Sequence, residues 1–141
     1  MKKFLARLLA AVGVFVFAAC GQSSGAGKPV ATVAKEENRV IITIEEVDGE
    51  PTLLYVMNDL KGSGKLNFTL SADGMVTAIE GKENAADWSA VWMLYTSDRE
   101  MANAEWGTVE YNGESYGSAV VGANALGVLA GERYIWQYQS F

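Results

Sequence analysis

The 141-residue chain has no histidine, a single cysteine, and only 11 basic residues against 17 acidic ones. Without histidine there is no imidazole to ligate a metal, act as general base or complete a catalytic triad. One cysteine excludes an internal disulfide framework and an all-cysteine zinc site. The acidic balance argues against a protein that tracks nucleic-acid phosphates. The length allows one domain of ordinary size. These absences remove enzyme classes without naming a function, and the remaining signal lies in where the apolar and aromatic residues fall.

Lys2, Lys3 and Arg7 form a basic start, and an apolar run from Leu8 to Ala19 follows. A positive start, a short apolar stretch and small residues at its end are the marks of a secretory signal peptide, and the run is shorter than the ~20 residues of a membrane-spanning helix. Ala18 and Ala19 directly before Cys20 resemble the lipobox of bacterial lipoproteins. That resemblance implies a diacylated Cys20 as the mature N-terminus, so residues 1–20 are expected to be removed and the chain to be held on the outer face of the cell membrane. More than one acyl chain is about what stable anchoring takes. Residues 21–38 (GQSSGAGKPVATVAKEEN) are rich in small and charged residues and read as a flexible tether. Loss of the signal removes three basic residues and no acidic one, which leaves eight basic residues against 17.

The folded domain is expected at 39–141. Val40–Ile44 is β-branched throughout and reads as a strand continuing to Val47. Pro51 suits the first turn of a helix whose apolar stripe is Leu53, Met57 and Leu60 with Leu54 beside them, stopped by Gly62 and Gly64. Asp73-Gly74 between Leu66–Leu70 and Met75–Ile79, and Asn112-Gly113 between Gly107–Tyr111 and Glu114–Val121, are strong hairpin signals. Ala90–Thr96 reads as a buried strand and Arg133–Gln139 as the last one. One helix with about seven strands makes an α+β domain, its sheet mixed or antiparallel and the helix packed on one face. The absence of regular βαβ alternation excludes a doubly wound nucleotide fold.

Catalytic patterns are poor. Lys61–Lys65 (KGSGK) follows a helix instead of opening one, as a phosphate loop would, and reads as a helix stop. Asn67-Phe68-Thr69 is a glycosylation sequon within a strand and is read as chance. The carboxylates are scattered, with no calcium-loop pattern, and no Ser-x-x-Lys pair occurs. The chain is therefore expected not to be an enzyme and to need no cofactor or metal. The aromatics are the informative feature: all four Trp and five of the six Tyr fall between positions 88 and 138. Strand alternation places Trp92 with Leu94 on one face and Met93 with Tyr95 on the other; Tyr134, Trp136 and Tyr138 likewise share a face opposite Ile135. One helix over a domain of about 100 residues leaves part of the sheet uncovered, so two or three rings are expected to form a surface platform for a planar apolar ligand or a protein.

The stretches Gly74–Asn84 (GMVTAIEGKEN), Trp92–Asp98 (WMLYTSD), Trp106–Gly113 (WGTVEYNG), Tyr116–Ala119 (YGSA) and Tyr134–Phe141 (YIWQYQSF), in this order, resemble the transcobalamin-like C-terminal domain, a module found in many bacterial lipoproteins. The resemblance covers residues 39–141. It implies a β-grasp-like (ubiquitin-like) mixed sheet with one helix packed across it, and kinship with the small domain of animal cobalamin carriers, which covers one side of a corrin ring. Carried over to this chain, it implies a ligand surface at Trp92, Leu94, Tyr95, Thr96, Ser97, Tyr116, Gly117 and Ser118. Trp92 and Tyr95 would be stacking groups, and the others would supply apolar or polar contact. The expected ligand is a corrinoid or other small molecule, and the expected protein partner is a transporter or surface protein. The alternative is a surface interaction or adhesion module with no small-molecule ligand. The carriers' second, helical domain has no counterpart here, so a lone domain offers one face of a site.

Overall fold

The computed structural model describes residues 27–141, and their backbone follows the apolar alternation of the sequence. The signal peptide and Cys20 lie outside the described residues. Nine strands form among the described residues: β1 (Val30–Glu36), β2 (Arg39–Glu46), β3 (Phe68–Leu70), β4 (Val76–Ile79), β5 (Lys82–Glu83), β6 (Ala90–Thr96), β7 (Ala102–Tyr111), β8 (Glu114–Ala119) and β9 (Arg133–Ser140). One α-helix, α1 (Leu53–Gly62), lies between β2 and β3, and a short 3₁₀ turn at Arg99–Met101 precedes β7. Six strands make the main sheet in the order β1-β2-β9-β6-β8-β7, and β3-β4-β5 make a small second sheet. The α+β class is as expected. Among the described residues no helix is long and apolar enough to cross a membrane.

Two expectations need correction. The tether begins to fold earlier than residue 39, because Val30–Glu36 pairs with β2 from Ala31↔Ile44 to Glu36↔Arg39. Ala31 and Val33 turn inward onto the core while Lys35 and Glu36 stay exposed, the half-buried pattern of an edge strand, which the polar average of residues 21–38 conceals. The second correction concerns the sheet, which is antiparallel at every pairing and not mixed. β2 and β6 run in the same direction but are not neighbours. β9 enters between them and runs against both, pairing Ile41↔Ile135 on one side and Tyr95↔Ile135 on the other.

The helix starts two residues later than a Pro51 in the first helical position would have it. Thr52 is the N-cap, its Oγ1 accepting from Tyr55 N at 3.2 Å, and Pro51 precedes the cap. Leu53, Val56, Met57 and Leu60 are buried against the sheet. They meet Val40, Ile42, Ile44, Trp92, Leu94, Tyr134 and Trp136, with Phe68, Val76 and Ile79 of the small sheet closing the same core. Both turns read from Asp-Gly and Asn-Gly are present, and Asn112 (φ 51°) and Gly113 (φ 80°) have the left-handed conformations that a tight two-residue hairpin requires.

The other sheet face has its own smaller core of Ile41, Tyr95, Val109, Tyr116 and Ile135. Among the described residues no second α-helix covers it. Instead the ladder between β7 and β8 jumps from Asn103↔Ser118 to Thr108↔Gly117, so residues 104–107 bulge out of β7. Gly107 takes φ +130°, and a Cβ there would stand 3.5 Å from the Tyr95 hydroxyl. The bulge thus helps to close the space over Tyr95.

Tyr134 gives the main core, on the helix side of the sheet, a pH limit. It is fully buried, and its hydroxyl accepts from Leu129 N at 3.1 Å. Burial pushes the phenol from 10.0 up to about 12, with the Leu129 hydrogen bond working against the shift and Asp98 and Glu132 adding to it. A folded-state value above the unfolded one means that Tyr134's contribution is intact below pH 10 and is lost as pH rises towards 12. The loss amounts to about 2–3 kcal/mol. Urea denaturation at pH 9, 10.5 and 11.5 should show it, and Tyr134→Phe should flatten that part of the profile while lowering stability at pH 7 by about 1 kcal/mol for the lost hydrogen bond.

Candidate functional site

The main sheet is notched where β6 stops. β8 pairs with β6 only through Tyr95↔Ser118 and Thr96↔Gly117, so Glu114–Tyr116 run on past the end of β6. On the other side β9 starts at Arg133, beside Ser97. Between them lies a cleft of about 890 Å³ whose lining includes Thr96, Ser97, Arg99, Tyr116, Gly117 and Arg133. Gly117 fits closely here: a Cβ would crowd Ala102 Cβ at 3.1 Å and Ala104 N at 3.2 Å, where the β7 bulge begins.

A chain of hydrogen bonds sets the cleft's wall. Arg133 Nη1 donates to the Tyr116 hydroxyl at 3.1 Å, and that hydroxyl donates to Glu114 Oε1 at 3.2 Å. The Arg133 guanidinium lies 5.6 Å from the centre of the Tyr111 ring, and its pKa is raised chiefly by the Tyr116 hydrogen bond, so it stays charged. Ser97 Oγ donates to Glu132 Oε1 and accepts from Arg133 N at 2.8 Å. Thr96 is buried, its Oγ1 accepting from Asp98 N at 3.0 Å. Arg99 and Arg133 face the cleft together with Glu114 and Glu132. Charges of both signs with several hydroxyls suit a neutral or zwitterionic ligand rich in amide or hydroxyl groups, and do not suit a polyanion. Among the described residues no three His, Cys, Asp or Glu side chains come together to hold a metal.

The structure divides the eight expected ligand residues. Thr96, Ser97, Tyr116 and Gly117 come together in the cleft. Trp92 and Tyr95 do not make a stacking platform, because the alternation of β6 puts them in the two different cores, 6% and 2% exposed. Trp92 is held by its Nε1 donating to Lys82 O at 2.7 Å and by an edge contact with Tyr138, ring centres 5.3 Å apart. Tyr95 donates to Gln139 Oε1 on β9. Leu94 belongs to the main core, and Ser118 is buried at 4% exposure. Within the 88–138 aromatic cluster the exposed rings are instead Trp88 and Trp106, at 59% and 61%, both outside the stretches of regular strand alternation. Sequence reasoning missed Arg99 and Arg133. A signal existed: arginine occurs only three times after Arg7, and two of the three line this cleft.

A second, more apolar groove of about 500 Å³ lies along the first part of β6, lined by Met75, Trp88, Trp92, Leu94, Asn124 and Trp136 among others. Comparison with known protein families, curated proteins and solved structures finds no match to this chain.

Proposed function

We propose that the chain is a membrane-anchored, extracytoplasmic binding lipoprotein, not an enzyme, that offers the notch at the end of β6 to a small ligand. The observation that carries this reading is the convergence of Thr96-Ser97 and Tyr116-Gly117, two stretches far apart in sequence, on one 890 Å³ cleft. The resemblance to transcobalamin-like domains makes a corrinoid the first ligand to try, and its peripheral amides match the hydroxyl, guanidinium and carboxylate groups of the wall. The one α-helix among the described residues, packed on one face of the sheet, supports the β-grasp-like assignment, with the antiparallel β2–β9 pair as the departure from it. The acylated Cys20 would keep the site at the membrane surface, beside a transporter able to receive the ligand.

Calorimetric titration with cyanocobalamin and with dicyanocobinamide tests this. Saturable binding is expected, and Arg133→Met should weaken it about tenfold or more by removing a charged hydrogen-bond donor. Absence of saturable heat at up to millimolar ligand would overturn the corrinoid reading. The alternative, a docking module for a surface protein, is favoured by Trp106, exposed on the bulge of edge strand β7. Under that reading Trp106→Ala, and not Arg133→Met, abolishes capture of one stoichiometric partner from envelope extract.

A further inference from the structure

We propose that the notch end of the domain is its membrane-proximal end, and that the notch exchanges ligand with a basic extracytoplasmic loop of an integral membrane protein, not with a soluble carrier. This rests on the acylated Cys20 of the reading above; the sheet topology supplies the rest. Val30, where β1 starts, pairs with Glu46 at the end of β2. Three residues back along β2, Thr43 pairs with Arg133 at the start of β9. Just past the end of β6, Ser97 N donates to Arg133 O at 3.1 Å. Tyr111, the end of β7, pairs with Glu114, the start of β8. The chain thus enters the sheet at the end that carries Ser97, Glu114 and Arg133 of the cleft lining. The opposite end holds Ala90 and Ser140, paired with each other.

Distances decide which end meets the bilayer. Gly27 is the seventh residue after Cys20, so even fully extended chain between them spans no more than about 25 Å. Gly27 is itself held at the notch end, its N donating to Asp48 Oδ2 at 2.9 Å in the turn that follows β2. A folded unit of this length is about 35 Å across. To set the Ala90–Ser140 end on the bilayer with the notch outermost, Gly27 would have to stand nearly that far above its lipid, beyond the reach of the chain. The domain is free to lie on its side but not to invert.

Charge selects the partner. Glu45, Glu46, Asp48, Glu50, Glu100 and Glu114 are exposed around the notch end, against Lys28 and Arg99. This balance repels an anionic lipid surface, which keeps the notch open above the headgroups, and it attracts a basic protein segment. A loop rising from the bilayer meets the notch directly, whereas a soluble carrier would have to enter between the domain and the membrane.

Relaxation by a gadolinium-chelating lipid tests the placement. The ¹⁵N-labelled chain, isolated from bacterial membranes and returned to nanodiscs that carry this lipid, should show amide broadening several-fold stronger at Glu46, Asp48 and Gly131 than at Asn38, Ala90 and Phe141. Equal or reversed broadening on an acylated chain would overturn the placement and leave the ligand reading standing. An unmodified Cys20 by mass spectrometry would overturn the anchor and the placement together. Photo-crosslinking in intact cells tests the partner, with p-benzoylphenylalanine at Ser115 in the notch lining or at Phe141, 78% exposed at the far end. Ser115 is expected to give an adduct that stays in the membrane after alkaline carbonate extraction. A Gly/Ser insertion as long as residues 21–38, placed before Gly27, should weaken that adduct several-fold by diluting the notch away from the bilayer. No adduct at Ser115, an adduct with soluble protein alone, or one indifferent to the insertion would overturn the proposed partner.

Discussion

Trp92→Ala should lower the free energy of unfolding by about 3–5 kcal/mol, the range for truncating a large aromatic in a packed core. Trp92 is 6% exposed within the main core, and its truncation would also leave the Lys82 carbonyl without its donor and Tyr138 without its edge contact. Guanidinium denaturation measures the loss. Without denaturant, at a temperature where the variant is still folded, its affinity for a notch ligand should stay within a few fold of the parent's, because Trp92 does not line that cleft. The opposite pattern, little loss of stability with loss of notch binding, would restore Trp92 as a stacking group and rule out a purely structural role for it.

The division of β6 and β9 into faces was legible from alternation alone. Trp92 and Leu94 do share the helix-side core, Met93 packs with Tyr95 on the other side, and Tyr134 and Trp136 oppose Ile135. What alternation does not report is whether a face is covered. Counting one helix implied a bare second face, yet a four-residue bulge in β7 that depends on Gly107 leans over Tyr95, and an insertion in a strand has no periodic signature. Edge strand β1 was hidden for a related reason: only Ala31 and Val33 of its residues turn inward, too few to stand out among Gly, Ser, Lys and Glu. For the cleft, hydroxyl and glycine positions could be carried over from a resemblance, whereas Arg99 and Arg133 sit at a turn and at a strand start, where charge is ordinary.

The segment between β8 and β9 (120–132) has no clear strand or helix pattern in the sequence, yet one residue in it should prove as costly to lose as any in the sheet. Leu126→Ala is expected to lower stability by about 2–5 kcal/mol. Leu126 and Val128 are fully buried, and Ala123 is nearly so. The same segment satisfies the N–H groups that the first turn of a helix leaves open. Leu53 N donates to Leu126 O at 2.7 Å and Leu54 N to Ala123 O at 2.9 Å, while Val128 N returns a bond to Pro51 O at 2.9 Å. The Thr52 side chain caps only the amide of Tyr55, so the segment serves as the backbone half of the α1 cap as well as part of its core. Leu126→Ala should therefore do more than shift the denaturation midpoint: hydrogen exchange at the Leu53 and Leu54 amides should speed up more than at β2, because local opening of this clasp becomes easier than global unfolding. Leu129→Ala, at a 42%-exposed position in the same segment, should stay within about 0.5 kcal/mol of the parent. A uniform rise in exchange across α1 and β2, with no excess at Leu53 and Leu54, would show that the segment packs on the core without clasping the helix.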